Sequence, residues 1–226
     1  MSSLLSTQSP KDVVFENLAG IAQALGHAHR LELLESLGQG ARSVEDLAKA
    51  AGLTLANASR HLQLLRRARL VESERQGKRV FYRLAGDVEV VALLKSLGRV
   101  GERNLAEVQG VMRDFFSRRD ALEPISRAEL ADRLASGLVT VLDVRPQQEY
   151  ELGHVQGAIN IPTHELLGRL ADLPKEREVV AYCRGPYCVM SFDAVAALRA
   201  QGYRVRRLED GFPEWKAAGL AVEAAM

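Results

Sequence analysis

The sequence predicts a multidomain chain: a mainly α first half containing a helix-turn-helix and a β-hairpin, then an α/β second half built on a parallel sheet. Three observations carry that expectation. Charge changes sign along the 226 residues: 1 to 120 hold 18 Lys/Arg against 14 Asp/Glu, net +4, whereas 121 to 226 hold 12 against 15, net −3. Apolar residues recur every three or four positions through most of the first half, which is helical spacing. In the second half short apolar, β-prone runs alternate with helical stretches, the pattern of a parallel sheet with crossover helices. A chain of this length accommodates two modest domains.

From 12 to 37 the apolar positions Val14, Leu18, Ile21 and Leu25, then Leu31, Leu34 and Leu37, predict two helices broken near Gly26. The stretch GQGARSVEDLAKAAGLTLANASRHLQLLRRARLV follows. It reads as a glycine-bounded loop, a short helix capped by Ser43 with Asp46 three positions on, a turn at Gly52, and a second helix after Thr54. That is helix-turn-helix syntax. LVESERQGKRVFYRL predicts a hairpin turning at Gln76-Gly77, and a last long helix over 87 to 116 closes the half. SRRDALEPIS, 117 to 126, has mixed charge, a proline and no apolar period. Residues 1–116 are therefore expected to form the first domain, 117–125 a linker and 126–226 the second domain. Beyond the linker come a helix over 127 to 135, the strand VTVLDV, a turn-rich region, the strand EVVAYC, a helix over 191 to 200, the strand YRVRRLE and a final WKAAG turn.

The opening MSSLLSTQSPKDVV has neither a basic start nor a long apolar core, and no apolar run approaches the roughly 18 residues a membrane span needs. A cytoplasmic location with no membrane partner is expected. Both cysteines of the chain lie in one hexapeptide, CRGPYC. In a reducing compartment such a pair points to redox or sulfur chemistry rather than to a structural staple.

Between Arg60 and Arg83 the chain carries eight Arg/Lys against Glu72 and Glu74, net +6 in 24 residues. A helix inserted in the major groove needs polar side chains to meet base edges and cations around it to meet phosphates. Thr54, Asn57, Ser59, Arg60, His61 and Gln63 are candidates for the first task, and Arg75, Lys78 and Arg79 at the hairpin tip for the second. The expected partner is double-stranded DNA. SVEDLAKAAGLTLANASRHLQLLRRARLVESERQGKRVFYRL resembles the winged helix-turn-helix of ArsR-type bacterial repressors, and the likeness runs over roughly 15 to 116. The resemblance implies a homodimer built from the first and last helices, with two recognition helices set for half-sites about one turn of DNA apart. Metal-sensing members carry cysteines in the helix before the recognition helix, or acidic and histidine ligands in the last helix. Here the former reads SVEDLAKA and the latter has no histidine. His27 and His29, at i, i+2, do not share a helix face. No metal and no cofactor are expected, so sensing must come from the second half.

Cys183 ends the apolar strand VVAY and enters a Gly185-Pro186 turn that leads into a helix. That places its sulfur at the carboxyl end of a strand in an open α/β sheet, where ligands bind, and near a helix N-terminus, which favours a thiolate. Arg184 adds a positive charge, and Tyr187, Val189 and Ser191 complete the expected substrate loop. YCRGPYC, LDVRPQQEYELGHVQGAINIP (142–162) and LEDGFPEWKAAGL (208–220) together resemble a single-domain rhodanese, a sulfurtransferase. The resemblance implies that Cys183 accepts a sulfane sulfur as a persulfide and passes it to a thiophilic acceptor. It also makes Asp143 and Arg145 an ion pair, and Gly153 and His154 turn and scaffold residues.

The loop departs from the common rhodanese pattern, C-R-x-G-x-R/T/S before the helix. With Ser191 opening the helix there are about two extra residues, and Cys188 occupies the late cationic or hydroxyl position. Two uses remain open. A longer loop fits a larger oxyanion such as arsenate or phosphate, although phosphatases of related fold carry C-x5-R where this chain has Val189. Alternatively Cys188 resolves a Cys183 persulfide, provided the two Cα atoms lie within about 7 Å. The favoured expectation is a homodimeric repressor that senses reactive sulfur through Cys183 and a small sulfane-sulfur donor. The alternatives are a working sulfurtransferase with a regulatory DNA-binding domain, or an oxyanion-responsive regulator.

Overall fold

The computed structural model describes residues 9–117 and 124–224. These gather into two compact units, neither of which is a contiguous half. One holds the chain up to Leu37 together with Ala41–Gly86; the other holds Gly38–Gly40 and the chain from Asp87 onward.

In the first unit, helix α1 (Pro10–Leu25) opens on a capping box between Ser9 and Asp12 and is followed by α2 (Ala28–Gly38). A short strand β1 (Arg42–Ser43) leads into α3 (Val44–Ala50), whose cap is Ser43: its hydroxyl accepts from Asp46 N at 3.2 Å and donates to the Asp46 carboxylate at 2.6 Å. Then come α4 (Leu55–Arg67), capped by Thr54, and the hairpin β2 (Val71–Gln76) and β3 (Arg79–Leu84). The hairpin pairs in register from Val71 opposite Leu84 to Gln76 opposite Arg79, and β1 adds to β3 to complete a three-stranded sheet. Leu33, Leu34 and Leu37 of α2, Leu47 of α3 and Ala58, Leu62 and Leu65 of α4 are fully buried. On α4 that spacing leaves Asn57, Arg60 and Gln63 on the exposed side of the helix.

In the second unit, α5 (Asp87–Asn104) ends at Leu105, which is extended at φ −109°, ψ 115°; α6 (Ala106–Val111) and a π-helical turn (Met112–Ser117) follow. The single helix expected over 87 to 116 is thus interrupted. Gly101 and Asn104, both poor helix formers, directly precede the break, and the Gln109 side chain bridges it by donating to Arg103 O. The remaining elements are α7 (Arg127–Ala135), β4 (Val139–Asp143), α8 (Gln147–Leu152), β5 (His154–Val155), β6 (Ile159–Asn160), β7 (Glu178–Tyr182), α9 (Val189–Ala200), β8 (Val205–Arg207), α10 (Phe212–Ala217) and β9 (Val222–Glu223). Strands β6, β4, β7 and β8 form a parallel sheet in that order. Helix α9 starts two residues earlier than the expected 191, because Cys188 already occupies the position that caps it. Strand β8 is shorter than the expected YRVRRLE, and WKAAG belongs to α10 and the turn after it.

Both sheet faces are covered, as a parallel sheet requires. Val179, Ala181 and Cys183 alternate along β7 and its end toward one apolar cluster, with Ala194, Val195 and Leu198 of α9; Val180 and Tyr182 point into the other, with Leu130, Phe212 and Trp215. Ile125 is fully buried in that second cluster and bridges to Leu208, while residues 118–123 of the expected linker lie outside the described residues. No helix among the described residues is long and apolar enough to cross a membrane.

Candidate functional site

On the reader side, α4 follows Thr54, whose hydroxyl accepts from Asn57 N at 3.3 Å, so this side chain is engaged in capping the helix. Asn57, Arg60 and Gln63 are exposed, whereas Ser59 and His61 are half-buried. Arg75, Lys78 and Arg79 all project from the exposed hairpin tip, where Arg75 Nε donates to Gly77 O at 3.1 Å. His61 lies against His27 and His29, with ring centroids 4.5 and 5.9 Å away, and its Nδ1 is buried without a hydrogen-bond partner. His27 precedes α2 rather than lying on it, so it and His29 approach to 5.3 Å despite their spacing in sequence. Burial, and then His27, Arg30, His29 and Arg60, push the His61 pKa down from its ordinary value. Among the described residues no group of three or more His, Cys, Asp or Glu is placed to hold a metal ion.

In the second unit, the end of β4 builds a buried polar anchor. The Arg145 guanidinium donates to the Asp143 carboxylate, through Nη2 at 2.6 Å and through Nε, and also to Gly153 O at 2.7 Å; its face lies on the Phe212 ring. Tyr182, from β7, donates its hydroxyl to the same carboxylate, and burial foremost, with Asp143 beside it, pushes its pKa well up, so that it remains a donor. The fourth edge is Gln39, whose side-chain oxygen accepts from Arg145 Nη1 at 3.1 Å and whose amide donates to Arg184 O at 3.2 Å. His154 stacks on Tyr150, with its Nδ1 2.9 Å from Tyr150 O, in a scaffold position.

The loop after β7 brings the two thiols together: Cys183 and Cys188 are joined as a disulfide with their Cα atoms 6.2 Å apart. Cys188 N donates to Gly185 O and Ser191 Oγ to Cys188 O, which fold the turn onto the first residues of α9. Cys183 is 1% exposed and Cys188 9%, so only a small reagent, or a loop that opens, gives access to the sulfurs. Gly185 and Ser191 are buried, Pro186 half-buried, and Tyr187 and Val189 exposed. Arg184 does not take the place expected beside the thiol. Its guanidinium forks onto the buried Glu149 carboxylate, with Nη2 at 2.7 Å and Nε at 3.0 and 3.1 Å, because a bidentate carboxylate satisfies it better than a single sulfur. Gly211 closes the other side: a Cβ there would collide with Gly185 N, and Phe212 N donates to Cys183 O at 3.0 Å.

Gln39, Glu149 and Gly211 are not among the residues the sequence marks out for the site. Glu149 and Gly211 do lie within two of the stretches that carry the rhodanese likeness, but Gln39 has no signal beyond the two glycines that flank it.

Comparison with known proteins matches residues 25–74 to a helix-turn-helix domain and residues 126–218 to a rhodanese-like domain. The HTH-type transcriptional regulator Rv0324 of Mycobacterium tuberculosis is 45% identical over 213 residues, covering 94% of this chain and 93% of that protein. A sulfurtransferase of Allochromatium vinosum is 36% identical over 102 residues, 44% of this chain and 94% of its own length. Among solved structures, a homodimeric winged helix-turn-helix DNA-binding domain from Mycobacterium bovis is 34% identical and covers 47% of this chain and 95% of that one, at a TM-score of 0.41.

Proposed function

The chain belongs to the family of HTH-type transcriptional regulators that join an ArsR-type helix-turn-helix to a C-terminal rhodanese-like domain, and from that premise we propose that it is a homodimeric repressor in which the rhodanese-like domain senses reactive sulfur through Cys183. The observation that carries this is the pairing of Cys183 with Cys188 inside the loop between β7 and α9. A helix N-terminus stabilises a thiolate next to it, and here it adjoins both sulfurs.

The chemistry balances without a cofactor. The Cys183 thiolate attacks the sulfane sulfur of a small persulfide or polysulfide, the donor S–S bond breaks, and the donor leaves as its thiolate. The Cys188 thiolate then attacks Sγ of the protonated Cys183 persulfide, closing the disulfide and expelling hydrosulfide. The sulfane sulfur is reduced and the two thiols are oxidised. On the reader, the exposed Asn57, Arg60 and Gln63 would face the base edges, and Arg75, Lys78 and Arg79 would meet phosphates, while Thr54 caps the helix and the half-buried Ser59 and His61 support it.

Mass spectrometry of the reduced protein after exposure to polysulfide, beside a DNA titration of the same sample, tests the reading. Sulfur on Cys183, advancing to the Cys183–Cys188 disulfide with a change in DNA affinity, is the expected result; unmodified cysteines with unchanged affinity would overturn it.

The likeness of 102 residues to a sulfurtransferase supports a second reading, in which the domain turns over. Repeated release of product to a thiol acceptor would favour catalysis, and a stall after one event favours sensing.

A further inference from the structure

Three peptide bonds join the second unit to the first, at 37–38, 40–41 and 86–87; the first two flank the segment Gly38–Gly40 and the third leads into helix α5. Both segments hold the cysteine loop. Gln39 donates to Arg184 O, the carbonyl next to Cys183, and Glu102 of α5 accepts from the Tyr187 hydroxyl at 2.6 Å, one residue before Cys188. The two contacts differ in freedom. Gln39 is buried and also bound to Arg145, itself locked on Asp143, so it is a fixed point. Tyr187 is 41% exposed and sits within the six-residue ring that the disulfide closes, so opening or closing that ring displaces it.

Helix α5 is placed to feel such a displacement. It is pinned at its start by Asp87 to Lys216 (2.7 Å) and in its middle by Lys95 to Asp210 (2.6 Å). The Tyr187 contact falls beyond both pins, over Gly98 and Glu102, on the arm that carries the exposed Leu97 and Val100. Helix α5 continues the chain directly from the DNA-reading unit at 86–87, and in the proposed dimer it belongs to the subunit contact.

We infer that the Tyr187–Glu102 hydrogen bond carries the sulfur state of the Cys183–Cys188 loop to helix α5, and through that helix to the DNA-reading unit. The inference rests on the sulfur-sensing reading above and names the route by which that site regulates DNA binding.

Two substitutions on the helix, outside the sulfur chemistry, test it. Glu102→Ala removes the acceptor. Gly98→Ala places a Cβ where the Tyr187 hydroxyl now sits and so forces it away, while alanine is the better helix former. Glu102→Gln keeps an acceptor and serves as the rescue. For each protein the DNA dissociation constant is measured in the reduced and disulfide forms, with the sulfur state verified by mass spectrometry. For wild type a ratio of roughly 5 to 150 between the two forms is expected; for Glu102→Ala and Gly98→Ala normal sulfur uptake with a ratio within about twofold of one, and for Glu102→Gln most of the wild-type ratio. Wild-type ratios in both Glu102→Ala and Gly98→Ala, with normal uptake, would overturn the link and leave the sulfur-sensing reading standing. A wild-type protein that takes no sulfur, or whose DNA affinity ignores it, would overturn that reading and the link together.

Discussion

Cys183→Ser is expected to abolish sulfur uptake while leaving DNA binding of the reduced protein unchanged, as read by mass spectrometry after polysulfide and by titration. Normal uptake in this variant would remove Cys183 from the chemistry. Cys188→Ser should still take sulfur but hold it as an open persulfide that alkylating reagents trap, whereas wild type advances to a form that resists them. If the variant became resistant as readily, the resolving role would be wrong. Next to the loop, Arg145→Ala leaves the Asp143 carboxylate buried without its cation, and chemical denaturation should register a loss of about 3–5 kcal/mol. The Asp143–Arg145 pair was legible only through the rhodanese resemblance of its stretch, which implied it. The partner of Arg184 was not: Glu149 lies 35 positions away, and nothing local to CRGPYC announces a competing carboxylate. Gln39 was illegible for the same reason at larger scale, since its hydrogen bond with Arg145 spans 106 positions.

At the scale of elements, Lys78→Ala or Arg79→Ala should weaken DNA binding and lower the salt dependence by about one unit of slope for each phosphate that is no longer neutralised. An unchanged slope in both would mean that another surface meets the DNA. Helix α4 also brings a pH dependence. His61 has a pKa lowered in the folded protein, so the unfolded chain binds the proton more readily; its contribution to stability is full above the ordinary value of 6.5 and is lost as pH falls from there through the lowered pKa. Denaturation midpoints should therefore drop on acidification, and His61→Gln should flatten that drop; parallel profiles for variant and wild type would assign the effect elsewhere. The cap at Ser43, the start of a helix after Thr54 and the turn near Gly77 were readable because each depends on residues within three or four positions; that Thr54 itself caps the helix was not read. The break at Leu105 and the early start of α9 were not, since apolar spacing continues through the first and the second is decided by a disulfide-bonded turn.

For the whole molecule, Val14, Phe15 and Leu18 of α1 and Leu93, Leu97 and Val100 of α5 are large apolar side chains left exposed in the single chain. The proposed homodimer would cover them. Phe15→Asp with Leu18→Asp should shift sedimentation from dimer to monomer and weaken binding to a two-half-site operator by about 100-fold or more, because the second half-site is then no longer engaged by a tethered reader. A monomeric wild type that binds DNA at full strength would refute the dimer. The two-domain plan was visible in the charge reversal and the change of periodicity, but not the way the compact units divide the chain. Since the second unit takes residues 38–40 from within the span of the first, the rhodanese-like sequence is not a detachable cassette. A fragment cut at residue 126 leaves Gln39 behind, stripping a buried Arg145 N–H of its acceptor, and leaves Lys95 behind, taking an ion pair from Asp210. Transplanting residues 1–116 onto another sensor would carry off a piece of this one's interior, so a functional chimera has to graft the Gly38–Gln39–Gly40 tripeptide and the helix over 87–104 along with the domain they serve.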